Sequence, residues 1–239
     1  MRNPARSGIR FPLGDSVKTW QGKGYGVKAA IFDLDGTLMD TEILWVEGTR
    51  RYLGKHGFAA TYESILAIVY GHSWRQVYAD IMRRFPLPGV TIEAMEVALR
   101  AEMEGLYEQQ GDVVIHSSVA LLETLATMVP VCIVSGSPCA DIEKAIRKMG
   151  IGDSVGFFIG AEQYGPGKPD PTCFRMAQER LQVPATECVV FEDSAAGVRA
   201  AKAAGMRCVA LARPGLPVQD VSAADWIVQD LAEVDPALL

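Results

Sequence analysis

An α/β fold is predicted by three features of this 239-residue chain. Short apolar runs recur along it, each ending in Asp, Ser, Gly or another turn former. Segments with helical periodicity lie between most of these runs, and one long stretch, 41–112, is helical in pattern and carries no convincing strand. Short apolar runs bounded by turn residues read as strands buried on both faces, as in a parallel sheet. Helices alternating with such strands cover the sheet on either side. The expected architecture is α/β, a Rossmann-like parallel sheet core with a small all-helical domain inserted after the first strand.

Residues 1–27 come first and differ in character. They hold Arg2, Arg6, Arg10, Lys18 and Lys23, several glycines and no clear period, so an irregular N-terminal extension is expected. Without an apolar h-region they do not read as a secretory signal. The first strand is VKAAIF (27–32), which stops abruptly at Asp-Leu-Asp-Gly-Thr. The insert follows, with Trp45, Gly48, Thr49, Tyr52 and Leu53, and later Ala94, Val97, Ala98 and Met103, at helical spacing. A helix over 118–128 then leads into a strand at 129–134, VPVCIV. The helix at 139–150 ends in a glycine suited to a C-cap, as does the one at 194–205. A helix over 171–182 opens with a proline. The remaining strands are FFIG (157–160), CVVF (188–191) and RCVAL (207–211). The core therefore comprises 28–40 and 113–239, and the inserted helical domain 41–112.

Composition narrows the function. A net charge of −6 offers no basic footprint for nucleic acid or an anionic membrane. No apolar run is long enough to cross a bilayer. The five cysteines, Cys132, Cys139, Cys173, Cys188 and Cys208, are scattered and form no CxxC pair. That pattern fits reduced thiols in a cytoplasm rather than disulfides or zinc.

Four groups carry chemistry, each just past a strand or in a nearby loop, where ligands gather in open parallel sheets. In the first, Asp33-Leu34-Asp35-Gly36-Thr37, a carboxylate can attack phosphorus. A second carboxylate two residues on shares its side of an extended chain and can handle the leaving-group proton. In the second, Ser135-Gly136-Ser137, a hydroxyl and backbone N–H groups at a strand-to-helix turn suit phosphate oxygens, although the same residues make an ordinary capped loop. The third is Gly165-Pro166-Gly167-Lys168-Pro169-Asp170-Pro171, where a stiff loop holds a cation that can offset phosphate charge. The fourth is Phe191-Glu192-Asp193-Ser194, two acids at the end of a buried strand, a costly placement without a cation. With Asp33 and the Asp35 carbonyl they make an all-oxygen set suited to Mg2+. Asp193 or Ser194 is also placed to cap the following helix.

In their order, the DLDGT, SGS, GKPDP and FEDSAAGVRAAKAAGM segments resemble the haloacid dehalogenase-like phosphatase superfamily over roughly 28–212. The sub-group holding sugar-phosphate phosphatases and beta-phosphoglucomutase is the most similar. The resemblance implies Asp33 as nucleophile and Asp35 as general acid/base. It implies Ser135 and Lys168 as holders of the phosphoryl group, helped by Thr37, Gly136 and Ser137. It implies a magnesium site built on Asp33, Asp35 and Asp193, with Glu192 a ligand or its neighbour, and a mobile cap over 41–112.

The expected activity is magnesium-dependent hydrolysis of a small phosphorylated metabolite, a sugar phosphate or sugar-acid phosphate, through an aspartyl-phosphate. A phosphomutase and a non-catalytic phosphate-binding module are the alternatives. The mutase of this sub-group needs a cap histidine about twelve residues past the nucleophile, where this chain has Trp45. In the cap, the cluster Tyr70, Gly71, His72, Ser73, Trp74 and Arg75 is polar and aromatic and is placed to face the site. Arg75 can bind a second anionic group or sugar hydroxyls, and Trp45 can pack on a ring. The expected protein is cytoplasmic, a monomer or weak homodimer, with a small-molecule substrate and neither nucleic-acid nor membrane partners.

Overall fold

The computed structural model describes residues 26–70, 74–109 and 112–239. The apolar runs become six strands: β1 (Ala29–Phe32), β2 (Val131–Val134), β3 (Phe157–Ile159), β4 (Cys188–Glu192), β5 (Arg207–Leu211) and β6 (Trp226–Val228). They form one parallel sheet in the order β3-β2-β1-β4-β5-β6. The five expected strands are all present, their ends shifted by at most two residues. β6 has no counterpart in the sequence reading. At three residues it shows no period of its own, and it is a strand because β5 supplies an edge to pair with.

Period-two alternation sends each strand's side chains to opposite faces. Ala30, Phe32, Ile133 and Phe191 pack on one side with Leu122 and Ile142, and Phe32 and Phe191 stack at 4.4 Å. Ile31, Val134 and Val190 pack on the other with Phe174 and Val198. The first face is covered by α5 (His116–Ala126) and α6 (Cys139–Met149), the second by α7 (Thr172–Leu181) and α8 (Ala195–Ala203). Cys132, Cys173, Cys188 and Cys208 all fall on that second face and are fully buried, as small apolar side chains would be. The helix ends follow local chemistry. Gly150 takes φ 72° after α6, and Pro171 sits at the N-cap of α7 rather than inside its first turn. Ser194, not Asp193, caps α8: its Oγ accepts from the Gly197 N–H at 3.0 Å.

Between β1 and β2 lie α1 (Glu42–Lys55), α2 (Tyr62–Val69), α3 (Trp74–Arg84) and α4 (Ile92–Gln109), with no strand among their described residues. They build an apolar cluster of their own from Val46, Leu53, Ile65, Ile81, Met95 and Leu99. The stripe read on α4 is turned by about one residue. Ala94 and Val97 are exposed, while Met95, Leu99 and Leu106 are buried at i, i+4 and i+11. Alanine and valine gave the sequence pattern no means of choosing between adjacent stripes. The insert meets the core through two paired linkers. The Asp40 N–H donates to Val113 O at 2.8 Å, and the Ile115 N–H donates to Leu38 O at 2.9 Å. The expected extension falls almost wholly outside the described residues, as do Gly71, His72 and Ser73.

Candidate active site

The parallel sheet delivers the motif residues to one end. The ladder runs a residue beyond the strands: the Asp33 N–H donates to Phe191 O at 2.9 Å, and the Ser135 N–H to Ile159 O at 3.0 Å. β1 thus presents Asp33, β2 presents Ser135, and β4 ends in Glu192 with Asp193 next. Burial marks these positions as unusual. Among the described residues seven polar or charged residues are buried, and Asp33, Thr37, Ser135, Glu192 and Asp193 are five of them. Such burial is costly unless each group is partnered.

Lys168 is the hub of the partnering. Its Nζ donates to Asp33 Oδ1 at 2.6 Å, to Glu192 Oε1 at 2.7 Å and to the Val134 carbonyl at 3.1 Å. Glu192 Oε2 accepts from both the N–H and the hydroxyl of Ser194, each at 2.9 Å. Both Glu192 oxygens are therefore engaged, one by the lysine and one by the start of α8. The loop after Lys168 is tied down at Asp170, whose Oδ1 accepts from the Thr172 N–H at 2.9 Å and from its hydroxyl at 2.5 Å.

Asp35 is held by three hydroxyls. Ser135 Oγ donates to Asp35 Oδ2 at 3.1 Å, Ser137 Oγ to the same oxygen at 2.5 Å, and Thr41 Oγ1 to Oδ1 at 2.6 Å. Gly36 lies beneath this arrangement with φ +85°, and a Cβ there would stand 2.2 Å from Asp193 Oδ2. Both the positive φ and the close approach require glycine. Thr37 Oγ1 donates to Asp193 Oδ1 at 3.3 Å.

The electrostatics follow from crowding. Burial pushes the Asp33 carboxyl well above the ordinary carboxylate range, against the pull of Lys168, and Glu192, Asp193 and Asp35 push the same way. Burial likewise raises Asp193, with Glu192 and Glu42 adding to it and Arg213 and Lys168 opposing. For Lys168 burial works against the charge, but Asp33 and Glu192 outweigh it and hold the ammonium protonated. These directions agree, because one ammonium serves two buried carboxylates with a third beside them. Asp33, Glu192 and Asp193 each offer an oxygen, all within 4.8 Å of one another. An under-neutralised set of hard oxygen donors fits a divalent cation such as Mg2+. Since Glu192 is occupied by Lys168 and Ser194, Asp33 and Asp193 are the better placed of the three to hold it.

A cavity of about 490 Å³ opens above these groups, within the usual range for small-molecule sites. Asp33, Asp35, Lys168, Glu192 and Asp193 line one side, with Gly136 and Ser137; Trp45 and Trp74 of the helical insert line the other. Three expected positions lie elsewhere. Ser135 is fully buried, its hydroxyl donating to Asp35 and accepting from the Ser137 N–H, and Thr37 is fully buried against Asp193. Neither lines the cavity. Arg75 is exposed at the start of α3 and also lies outside it, since the helix turns Trp74 inward instead. Of the described members of the cluster expected to face the site, Trp74 lines the cavity, and Thr41 and Tyr164 line it without having been assigned a role from sequence. A threonine six residues after Asp35 was the available signal for the first of them.

A family model described as hydrolase, haloacid dehalogenase-like hydrolase, matches residues 27–205. Validoxylamine A 7'-phosphate phosphatase of Streptomyces hygroscopicus subsp. limoneus is 33% identical over 208 residues, covering 87% of this chain and 95% of that protein. Fructose-1-phosphate phosphatase YqaB of Escherichia coli (strain K12) is 29% identical over 185 residues, covering 75% of this chain and 93% of that one. CbbY of Rhodobacter sphaeroides, solved in complex with phosphate, shares the fold with a TM-score of 0.73 at 23% identity, over 87% of this chain and 96% of that one. No described helix is long and apolar enough to cross a membrane. By the matched model and the level of identity, the chain belongs to the haloacid dehalogenase-like hydrolase family.

Proposed function

We propose that the chain hydrolyses a small phosphorylated metabolite with Mg2+ as cofactor, forming an aspartyl-phosphate on Asp33. It is a phosphomonoester hydrolase of its family, in keeping with its phosphatase relatives. The observation that carries the mechanism is the arrangement around Asp33: one carboxylate oxygen is held by Lys168, and the acid Asp35 stands on the same cavity wall.

With Oδ1 fixed by Lys168, the other Asp33 oxygen attacks phosphorus. The P–O ester bond breaks, its electron pair going to the leaving oxygen, which takes a proton from Asp35. Asp35, now ionised, accepts a proton from water as that water attacks the aspartyl-phosphate, releasing inorganic phosphate and restoring Asp33. Ser135, Ser137 and Thr41 orient Asp35 for both transfers. Gly136 and Ser137 line the side where phosphoryl oxygens are received, and Lys168 offsets their charge. Asp33 and Asp193, with the Asp35 carbonyl, would hold Mg2+, which supplies electrostatic stabilisation of the transferring phosphoryl group. The helices over 41–112 act as the cap, limiting water at the site and contacting the leaving group through Trp45 and Trp74. A cytoplasmic setting belongs to the same reading and fits five free cysteines, four of them buried.

The test is Asp33→Asn assayed with p-nitrophenyl phosphate, alongside EDTA treatment of the wild type with magnesium restored afterwards. Expected are a folded variant without turnover and a reversible loss on chelation. Near wild-type turnover by Asp33→Asn would remove the covalent mechanism.

A further inference from the structure

Resting on the phosphatase reading above, we infer that the leaving group is a neutral, ring-bearing polyol whose apolar face lies on Trp45 and Trp74. Substrates bearing a second anionic group are rejected by the charge of the same cavity.

The wall opposite the carboxylates is aromatic and aliphatic. Trp45 comes from the first turn of α1 and Trp74 from the start of α3, and their ring centroids are 5.8 Å apart with planes inclined at 36°. Val69 and Val77 extend this wall. Two inclined indoles make an apolar aromatic surface wider than one ring. The slightly positive C–H edges on one side of a pyranose or cyclitol complement such a surface, while the ring hydroxyls stay in the plane and reach water or polar groups.

Charge selects against acids. Asp33, Asp35, Glu42, Glu192 and Asp193 line the cavity, and among the described residues Lys168 is its cation. That lysine is already held by Asp33 and Glu192. A second cavity of about 690 Å³ shares Trp45 and Trp74 with the first and brings two more cations, Arg100 and Lys144. Arg100 is committed to Glu96 at 3.0 Å and Asp141 at 2.7 Å, and Lys144 faces Glu104 at 3.8 Å. With Mg2+ at Asp33 and Asp193, that ion and Lys168 are taken up by these carboxylates and by the phosphate being hydrolysed, so a carboxylate or second phosphate on the leaving group would have to break one of the outer pairs or lie beside Glu42 with no further cation to meet it among the described residues. Arg75, the residue the sequence offered for a second anion, is exposed and lines neither cavity.

The experiment measures phosphate release by the full chain with Mg2+ across matched pairs. Glucose 1-phosphate is set against glucuronic acid 1-phosphate and against glucose 1,6-bisphosphate, with inositol 1-phosphate as the cyclitol and acetyl phosphate as a substrate without a ring. Glucose 1-phosphate is expected to exceed each of its two acidic counterparts in kcat/KM by about tenfold or more, and inositol 1-phosphate to be accepted as well. Trp74→Leu and Trp45→Leu are expected to lower kcat/KM on the best ring substrate by about tenfold more than on acetyl phosphate. The inference is overturned if an acidic member matches its neutral partner, if no ring phosphate is accepted while acetyl phosphate is, or if both variants lose equally on both substrate types. The wild-type pairs decide the matter even where a tryptophan variant does not fold. Absence of turnover on acetyl phosphate as well would overturn the phosphatase reading itself, a distinct outcome.

Discussion

Gly197 lies against the carboxylate of Glu192 so closely that a Cβ on the glycine would stand 1.7 Å from Glu192 Oε1. That oxygen is the one Lys168 holds at 2.7 Å. The first turn of α8 therefore sets where the lysine sits, through the acid wedged between them. Gly197→Ala is expected to fold with a loss of about 1–3 kcal/mol from overpacking. It should lower kcat/KM for p-nitrophenyl phosphate roughly 100-fold, the scale of an ångström-sized misplacement at a reacting centre. Thermal unfolding and steady-state kinetics on the same sample check both figures. A variant with wild-type kinetics would show that Lys168 does not depend on this anchor.

Metal removal gives the second prediction. Asp33 and Asp193 are buried beside Glu192 with one ammonium among them, so a divalent cation relieves repulsion that the folded state alone must bear. At magnesium concentrations 100-fold above Kd, binding to the native state adds about 2.7 kcal/mol, or roughly 5–10 °C in Tm for a chain of this size. Asp193→Asn should abolish most of that shift while leaving the protein folded in EDTA. Differential scanning fluorimetry with and without MgCl2 reads it without any assay of activity. An undiminished shift in the variant would place the ion elsewhere.

How much of this was legible beforehand depended on the range of the interactions. Asp33, Asp35, Lys168 and Asp193 could be found because an acid or a loop lysine at the end of a buried strand is a local anomaly, visible in a few consecutive residues. Ser135 was expected to hold the phosphoryl group with Ser137 as its helper, but both hydroxyls donate to Asp35 and Ser137 is the one that lines the cavity, a difference set by the fold and not by two serines flanking one glycine. Arg75 and Trp74 are neighbours on one helix, and a single helical step of about 100° decides which faces the cavity. The stripe on α4 failed for the same reason. β6 depended wholly on a partner strand, so three residues of sequence held no signal for it.

Thiol reactivity provides a prediction on the side of the sheet away from the insert. Burial pushes Cys173 and Cys188 up to about 11 and raises Cys132 and Cys208 as well. Cys139 is half-buried, and burial followed by Glu162 raises it too. Because the thiolate is the reacting form, a raised pKa slows modification at any pH below it. Native protein at pH 8 should therefore release at most one equivalent with DTNB, slowly, at a rate rising about tenfold per pH unit. Denaturant should expose all five thiols. Cys139→Ser should silence the native reaction. Rapid modification of two or more thiols in the folded protein would contradict the packing of that face.

Thr41 connects the insert to the acid that handles protons. It is the first linker residue before α1, and its hydroxyl donates to Asp35 Oδ1 at 2.6 Å. At the N-cap position of α1 it makes no side-chain capping bond, so its hydroxyl serves Asp35 and not the helix. Thr41→Val keeps the branched shape and removes only that donor. Stability should accordingly change by no more than the roughly 0.5 kcal/mol typical of substitutions that break no structural feature, a Tm shift of about 1–2 °C at most. Asp35 would retain Ser135 and Ser137 on its other oxygen, so turnover should persist but fall, with kcat down by about tenfold and KM little changed. Thr41→Ser, which restores a hydroxyl, should recover most of the loss. Because Thr41 also lines the cavity, the split between the two constants is decisive. A rise in KM at constant kcat would mean that the hydroxyl grips the substrate, and Asp35 would then owe its orientation to the two serines alone.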